Sequence, residues 1–187
     1  MNHLQDKYEK IRVSTNLNKI TLAGGCFWCI EAALEPLAGV VEVFTGYCGG
    51  KKEKASYDQV SQGTTEHKEA VQVFYNKQMI PLEKILEEFF IYIDPTDAGG
   101  QFADRGKQYT TAIFYHNQEQ KNIAERKLEE IKDNYQKPIV TEILPYSVFY
   151  LAEPQHQDFY LKNTEHYQQY EENSGRAKHV RQQKQET

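Results

Sequence analysis

The sequence predicts a two-layer domain of mixed α/β or α+β class, and three observations carry that reading. Short β-rich stretches alternate with stretches of helical periodicity along most of the chain, an order that fits neither a helix bundle nor a barrel. With 187 residues the chain is long enough to bury one full core, so a single domain over residues 1–187 is expected. No internal repeat or low-complexity stretch interrupts the alternation apart from a Gln/Lys-rich tail.

The elements follow in order. Residues 1–18 are polar and read as an N-terminal extension, without the apolar core of a secretory signal. Lys19-Ile20-Thr21-Leu22-Ala23 alternates polar and apolar like a short strand, Gly24-Gly25 permits a sharp turn, and Phe27, Ile30, Leu34 and Leu37 recur at helical spacing. A strand over 40–44 runs into Thr45-Gly46-Tyr47-Cys48-Gly49-Gly50, which reads as a glycine-rich loop. Residues 69–75 are again β-rich. Pro81 then opens a helix with Leu82, Ile85, Leu86 and Phe89 on one face. A loop over 94–105 precedes a strand at 110–115, a helix from Gln118 to about Tyr135 and a strand at 139–144. From Glu171 onward the chain is almost wholly polar, and over 171–187 a frayed helix or disordered tail is expected.

Composition narrows the function. A net charge of −5 leaves no basic footprint for nucleic acid or an anionic membrane. No apolar run approaches the roughly 20 residues of a membrane span, and a cytoplasmic protein is the expectation. Three cysteines suit neither a disulfide scaffold nor a four-cysteine zinc site; a redox or nucleophilic role fits better.

The chemistry concentrates in Gly24-Gly25-Cys26-Phe27-Trp28-Cys29, where strand gives way to helix. Cys26 stands at the helix start, where unpaired N–H groups and the positive end of the dipole favour thiolate over thiol. Beside it lie Phe27 and Trp28, the latter the only tryptophan. This segment resembles the Gly-Cys-Phe-Trp-Gly motif of the A-type peptide methionine sulfoxide reductases at four of five positions. The likeness continues through Ser56-Tyr57-Asp58-Gln59-Val60, a run from Gly63 to Val71, Asp94-Pro95-Thr96, a run from Asp104 to Tyr109, and His156-Gln157 with Leu161-Lys162-Asn163. Each is weak alone. Their shared order, over more than two-thirds of the chain, is specific.

The resemblance implies a ferredoxin-like α+β sandwich of two layers, with a mixed β-sheet and added loops. It also implies reduction of methionine S-sulfoxide, free or in proteins, without metal or organic cofactor, by electrons from thioredoxin or a similar dithiol protein. On the matching positions Cys26 is the nucleophile, Phe27 and Trp28 hold the S-methyl group, and Glu69 is the acid. Tyr57 and Tyr109 bind the sulfoxide oxygen, and Asp104 helps organise the nucleophile. If Glu69 lies in an apolar pocket, desolvation raises its pKa and leaves it protonated, as a proton donor requires. His67 and His156 also match the pattern but are read as structural hydrogen-bonders.

Departures from the pattern concern recycling. No cysteine follows Cys48, while Cys29 replaces the usual final glycine and Cys48 falls in the glycine-rich segment. The sulfenic acid left on Cys26 needs a resolving thiol. Cys29, one helical turn away, is favoured, with Cys48 on a flexible loop as second candidate. Two rival readings remain: a zinc-binding interaction module using Cys26, Cys29, Cys48 and His67, and a general dithiol–disulfide oxidoreductase suggested by Cys-Phe-Trp-Cys alone.

Overall fold

Residues 3–186 are described by a computed structural model. Helix α1 (His3–Arg12) precedes strand β1 (Asn18–Ala23), and the glycine turn then leads into α2 (Phe27–Leu34) and β2 (Val40–Cys48). After the short α3 (Tyr57–Ser61) come β3 (Lys68–Tyr75) and α4 (Leu82–Ile91). A small hairpin of β4 (Gly100–Gln101) and β5 (Asp104–Arg105) leads to β6 (Ala112–Tyr115), α5 (Gln118–Ile131), β7 (Glu142–Pro145) and β8 (Phe149–Leu151). The chain closes with α6 (Phe159–Lys162), α7 (Thr164–Ser174) and α8 (Arg176–Glu186).

The fold is α+β, with one mixed sheet in the order β7-β6-β1-β3-β2-β8. Every neighbouring pair is antiparallel except β6 and β7, which run parallel. Successive strand residues point to opposite faces, so each strand sorts its side chains in two. Ile20, Leu22, Tyr47, Val71 and Val73 face the layer of α2 and α4. Phe44, Cys48, Ala70, Phe74 and Phe114 face the other way. On the first side Phe27, Ile30 and Leu34 of α2 meet Ile85, Leu86 and Phe89 of α4, all with almost no exposed surface. Burying each such side chain contributes about 1.5–3 kcal/mol, and Phe89→Ala is expected to cost about 3–5 kcal/mol. Helix α5 begins where Asn117 accepts the Gln120 amide at 2.9 Å, a side-chain cap that fixes its first turn.

At three places the structure departs from the sequence reading or adds to it. The polar N-terminal extension contains α1, which covers part of the second sheet face: Tyr8 meets Phe44 edge-on at 5.1 Å and its hydroxyl donates to Gln72 at 2.8 Å. Leu4, Tyr8 and Ile11, at helical spacing, suffice to anchor an otherwise polar helix. The glycine-rich stretch after Phe44 is strand as far as Cys48. Gly46 makes this possible, because a Cβ there would lie 2.2 Å from the Tyr150 carbonyl of the adjoining β8; the turn begins only at Gly49, with φ +96°. Third, the polar tail is helical and packed as far as Glu186: α8 is pinned by Arg176, which is fully buried, together with Ala177 and Val180. Among the described residues no helix is long and apolar enough to cross a membrane.

Candidate active site

Cys26 is the N-cap of α2, delivered there by Gly25 at φ +83°. It has no capping side chain of its own; Glu69 reaches across from β3, and one of its carboxyl oxygens accepts the Phe27 N–H at 3.2 Å. This bond joins the sheet to the helix that carries the thiol. Around it lies a small cavity of about 60 Å³ lined by Cys26, Phe27, Trp28, Tyr57, Glu69, Asp104, Tyr109 and Tyr170. The structure thus brings together seven residues singled out in the sequence, from four separated segments, and adds Tyr170.

The walls are aromatic and braced from behind. Trp28 stacks on Phe159 at 3.9 Å between centroids and meets Tyr170 edge-on at 6.0 Å. Phe27 packs on Tyr57, Tyr47 and His156. Glu153 holds the Tyr57 side in place, accepting the Tyr57 amide at 2.9 Å and the Tyr47 hydroxyl at 2.7 Å. His156, read from sequence as a satisfied hydrogen-bonder, instead stacks on Tyr57 at 4.3 Å and backs this wall with its Nδ1 unpartnered. His67 does behave structurally: it accepts the Gly50 amide and bonds the Lys51 carbonyl.

Electrostatics give the polar groups distinct protonation states. Glu69 is buried, and desolvation, reinforced by the charge of Cys26, holds its carboxyl well above the usual range despite the Phe27 N–H. One oxygen accepts from the backbone, the other faces the cavity, and burial favours the protonated form of the carboxyl. Tyr57 is pushed up to about 12, chiefly by burial, and Tyr109 is raised for the same reason. Both stay phenols, and among the described residues neither hydroxyl is committed to a protein hydrogen bond. Tyr170, by contrast, donates to Asp104. Burial raises the Asp104 carboxyl, while that bond and the charge of Arg176 oppose the rise.

The thiols behave differently from what a helix start alone suggests. Cys26 is raised well above a free cysteine, first by burial and then by its hydrogen bond to Cys29 and the charge there. Cys29 has no exposed surface; burial opposes its ionisation, but the hydrogen bond from Cys26 and the positive charge of Arg176 bring it down. The two sulfurs are thus coupled: Cys26 holds its proton more tightly than a free cysteine does, and Cys29 ionises more readily.

Cys48 is elsewhere. It neighbours Tyr47 on a regular strand, so Tyr47 faces Phe27 while Cys48 faces the far side of the sheet. Its sulfur donates to the Val148 carbonyl at 3.3 Å, and burial pushes its thiol up to about 12. The flexible-loop position expected for it is thereby overturned, and with it the zinc arrangement, since Cys48 cannot surround one ion with Cys26 and Cys29 through the sheet.

Sequence reasoning passed over Tyr170, Glu153, Phe159 and Arg176. Arg176 and Tyr170 sit in the polar C-terminal run, where no periodicity marks them as buried.

Two coupled thiols one helical turn apart, a buried carboxyl whose protonated form is favoured, and phenols lining the same small space are suited to two-electron sulfur chemistry; the class is that of thiol-dependent oxidoreductases. Comparison with known proteins narrows the class. The profile of the family described as peptide methionine sulfoxide reductase matches residues 18–187. The peptide methionine sulfoxide reductase MsrA of Bacillus subtilis is 50% identical over 159 residues, 84% of this chain and 90% of the relative. The structure of methionine sulfoxide reductase A of Corynebacterium diphtheriae superposes with a TM-score of 0.77 at 28% identity, over 82% of this chain and 78% of that one. Mxr1 from Saccharomyces cerevisiae in reduced form gives 0.76 at 33% identity, over 80% and 87%. The same yeast protein has been solved in complex with Trx2, a match with a TM-score of 0.55 at 24% identity over 78% and 86%. The chain belongs to the peptide methionine sulfoxide reductase family.

Proposed function

We propose that this protein reduces methionine S-sulfoxide, free or in proteins, to methionine, with Cys26 as nucleophile and Cys29 as resolving thiol. The observation that carries the reading is Glu69, buried beside Cys26 and anchored on the Phe27 amide, where desolvation favours its protonated form. Cys26 attacks the sulfoxide sulfur while its proton passes to Cys29 along the hydrogen bond they already share. Glu69 protonates the departing oxygen, Tyr57 and Tyr109 donate to it, and Phe27 and Trp28 enclose the S-methyl group in the small cavity. Asp104, held by Tyr170, orders the polar side of the pocket.

The protonated oxygen then passes from the substrate sulfur to the Cys26 sulfur as the bond between the two sulfurs breaks; methionine leaves with that electron pair, reduced by two electrons, and Cys26 is a sulfenic acid. Cys29 then attacks the Cys26 sulfur, the hydroxyl departs as water, and a Cys26–Cys29 disulfide remains. The two protons of that water come from Cys26 and Glu69, and Glu69 regains its own from solvent. No step calls for a metal or organic cofactor. Thioredoxin, or a similar dithiol protein, reduces the disulfide; the yeast complex with Trx2 supports this choice. Preference for the S epimer follows from the family resemblance and is tested by offering each sulfoxide epimer separately. The cytoplasm suits three free thiols, Cys26, Cys29 and Cys48. The ferredoxin-like description is supported by the connectivity of β1, α2, β2, β3, α4 and β6, whose strands lie in the order β6-β1-β3-β2.

A single turnover without reductant tests the mechanism. One equivalent of methionine per enzyme and a peptide map showing only Cys26–Cys29 are expected. A map showing Cys26–Cys48, or Cys26 unmodified after product forms, overturns it.

A further inference from the structure

Arg176 is a fully buried arginine whose guanidinium has no carboxylate in salt-bridge contact among the described residues. Its Nη1 donates to the Tyr92 carbonyl at 2.6 Å and its Nη2 to the Gly24 carbonyl at 3.1 Å, while Nε has no partner. The guanidinium also lies over the Phe102 ring at 4.8 Å. Two neutral carbonyls and a ring do not offset the desolvation of a full charge, which calls for an anion nearby. Backbone geometry shows what the cation is set against. A Cβ at Gly25 would come within 2.8 Å of Arg176 Nη2, so the cation is seated against the turn that ends in Cys26.

We propose that Arg176 is the positioning cation of the thiol pair: from the first turn of α8 it clasps the Gly24–Gly25 turn and supplies the positive charge against which Cys26 and Cys29 ionise. The other groups facing the pair are neutral or negative. They are Glu69 from β3, Asp104 from β5, Glu171 from α7, and the phenols of Tyr57, Tyr109, Tyr167 and Tyr170. Each carboxylate among them opposes a thiolate. Arg176 answers that repulsion, and the burial that raises Cys26 makes its charge count for more. The C-terminal helix is thus part of the site.

The inference rests on the thiol mechanism proposed above, and its test needs no methionine sulfoxide. Thiolate absorbance near 240 nm and alkylation by iodoacetamide are followed against pH in the reduced wild-type protein and in Arg176→Gln and Arg176→Lys; Cys48, at about 12, stays silent. In Arg176→Gln the first thiol ionisation is expected to move up by about one to two pH units, with alkylation at neutral pH falling about tenfold or more. Arg176→Lys keeps the charge and is expected to keep the wild-type profile, even if thermal stability drops with the loss of a carbonyl bond. An unchanged profile in folded Arg176→Gln overturns the proposal and leaves Arg176 a structural clasp. If Arg176→Gln does not fold, Arg176→Lys decides alone, and a profile displaced as far as tenfold slower alkylation overturns it as well. Failure of the reduction mechanism instead appears only as missing methionine, with these thiol profiles intact.

Discussion

Glu31 sits in α2, the helix whose first residue follows the nucleophile, and its carboxyl has no accessible surface. One oxygen accepts the Asp158 amide at 3.0 Å and the other has no partner. Burial pushes its pKa up to about 9 from an ordinary 4.5; the amide bond opposes this, and the charges of Glu35 and Asp158 add to it. The unfolded chain releases the proton near the ordinary value while the folded chain holds it. Between those two values the folded state binds more protons, so stability is full in acid and falls as pH rises, by about 1.4 kcal/mol per unit. At pH 7 the accumulated cost is about 3 kcal/mol. Glutamine has no proton to lose, keeps an oxygen for Asp158, and turns an amide donor toward the carboxylates of Glu35 and Asp158, whose oxygens lie within 4.8 Å. Urea unfolding of wild type and Glu31→Gln from about pH 5 to about pH 8 reads the effect. The advantage of the variant is expected to grow by about 1.4 kcal/mol per pH unit. Any unpaired amide hydrogen lowers the whole line without changing its slope, so a difference that stays level across the range refutes the buried-carboxyl reasoning.

Cys26→Ser is expected to abolish methionine formation even in one turnover, because a hydroxyl is not ionised near neutrality; measurable product moves the nucleophile elsewhere. Glu69→Gln keeps the acceptor for the Phe27 amide and so the fold, but lacks the transferable proton, and a slowing of about 10² to 10⁴ in the first turnover is expected. In the wild type that step should fade on the alkaline side as the raised Glu69 carboxyl finally ionises; an activity that persists there assigns the proton to Tyr57 or Tyr109. Cys48→Ser is expected to leave the rate and the Cys26–Cys29 disulfide unchanged and to alter only thermal stability, and a loss of recycling with thioredoxin would restore Cys48 to the mechanism.

The nucleophile was legible because its cause is local: a glycine pair, a helix start and an aromatic pair are all contained in one hexapeptide. Glu69 was legible only through its motif, since nothing in a strand carboxylate announces that it will cap a helix 42 residues upstream. Cys48 was misplaced because Gly46 reads as a loop former, whereas here its missing side chain makes room for the Tyr150 carbonyl. Tyr8 was hidden by the charges around it in α1, Asp6, Lys7, Glu9 and Lys10, and one ring at the right spacing outweighed them. Arg176 was out of reach for a deeper reason: its partners are backbone carbonyls, which every residue possesses and no sequence distinguishes.

The bond from Arg176 to Gly24 spans 152 positions, and that from Tyr170 to Asp104 spans 66. Chains are synthesised, and their domains fold, from the N-terminus. Cys26 and Cys29 therefore emerge long before the helices that cover them, and for most of translation the protein is a bare vicinal dithiol. A chain ended early, or clipped behind α6, keeps its nucleophile without the residues that bury and neutralise it. Such a fragment is a thiol free to form mixed disulfides with its neighbours, so the last residues made decide whether the first reactive ones are an asset to the cell or a hazard.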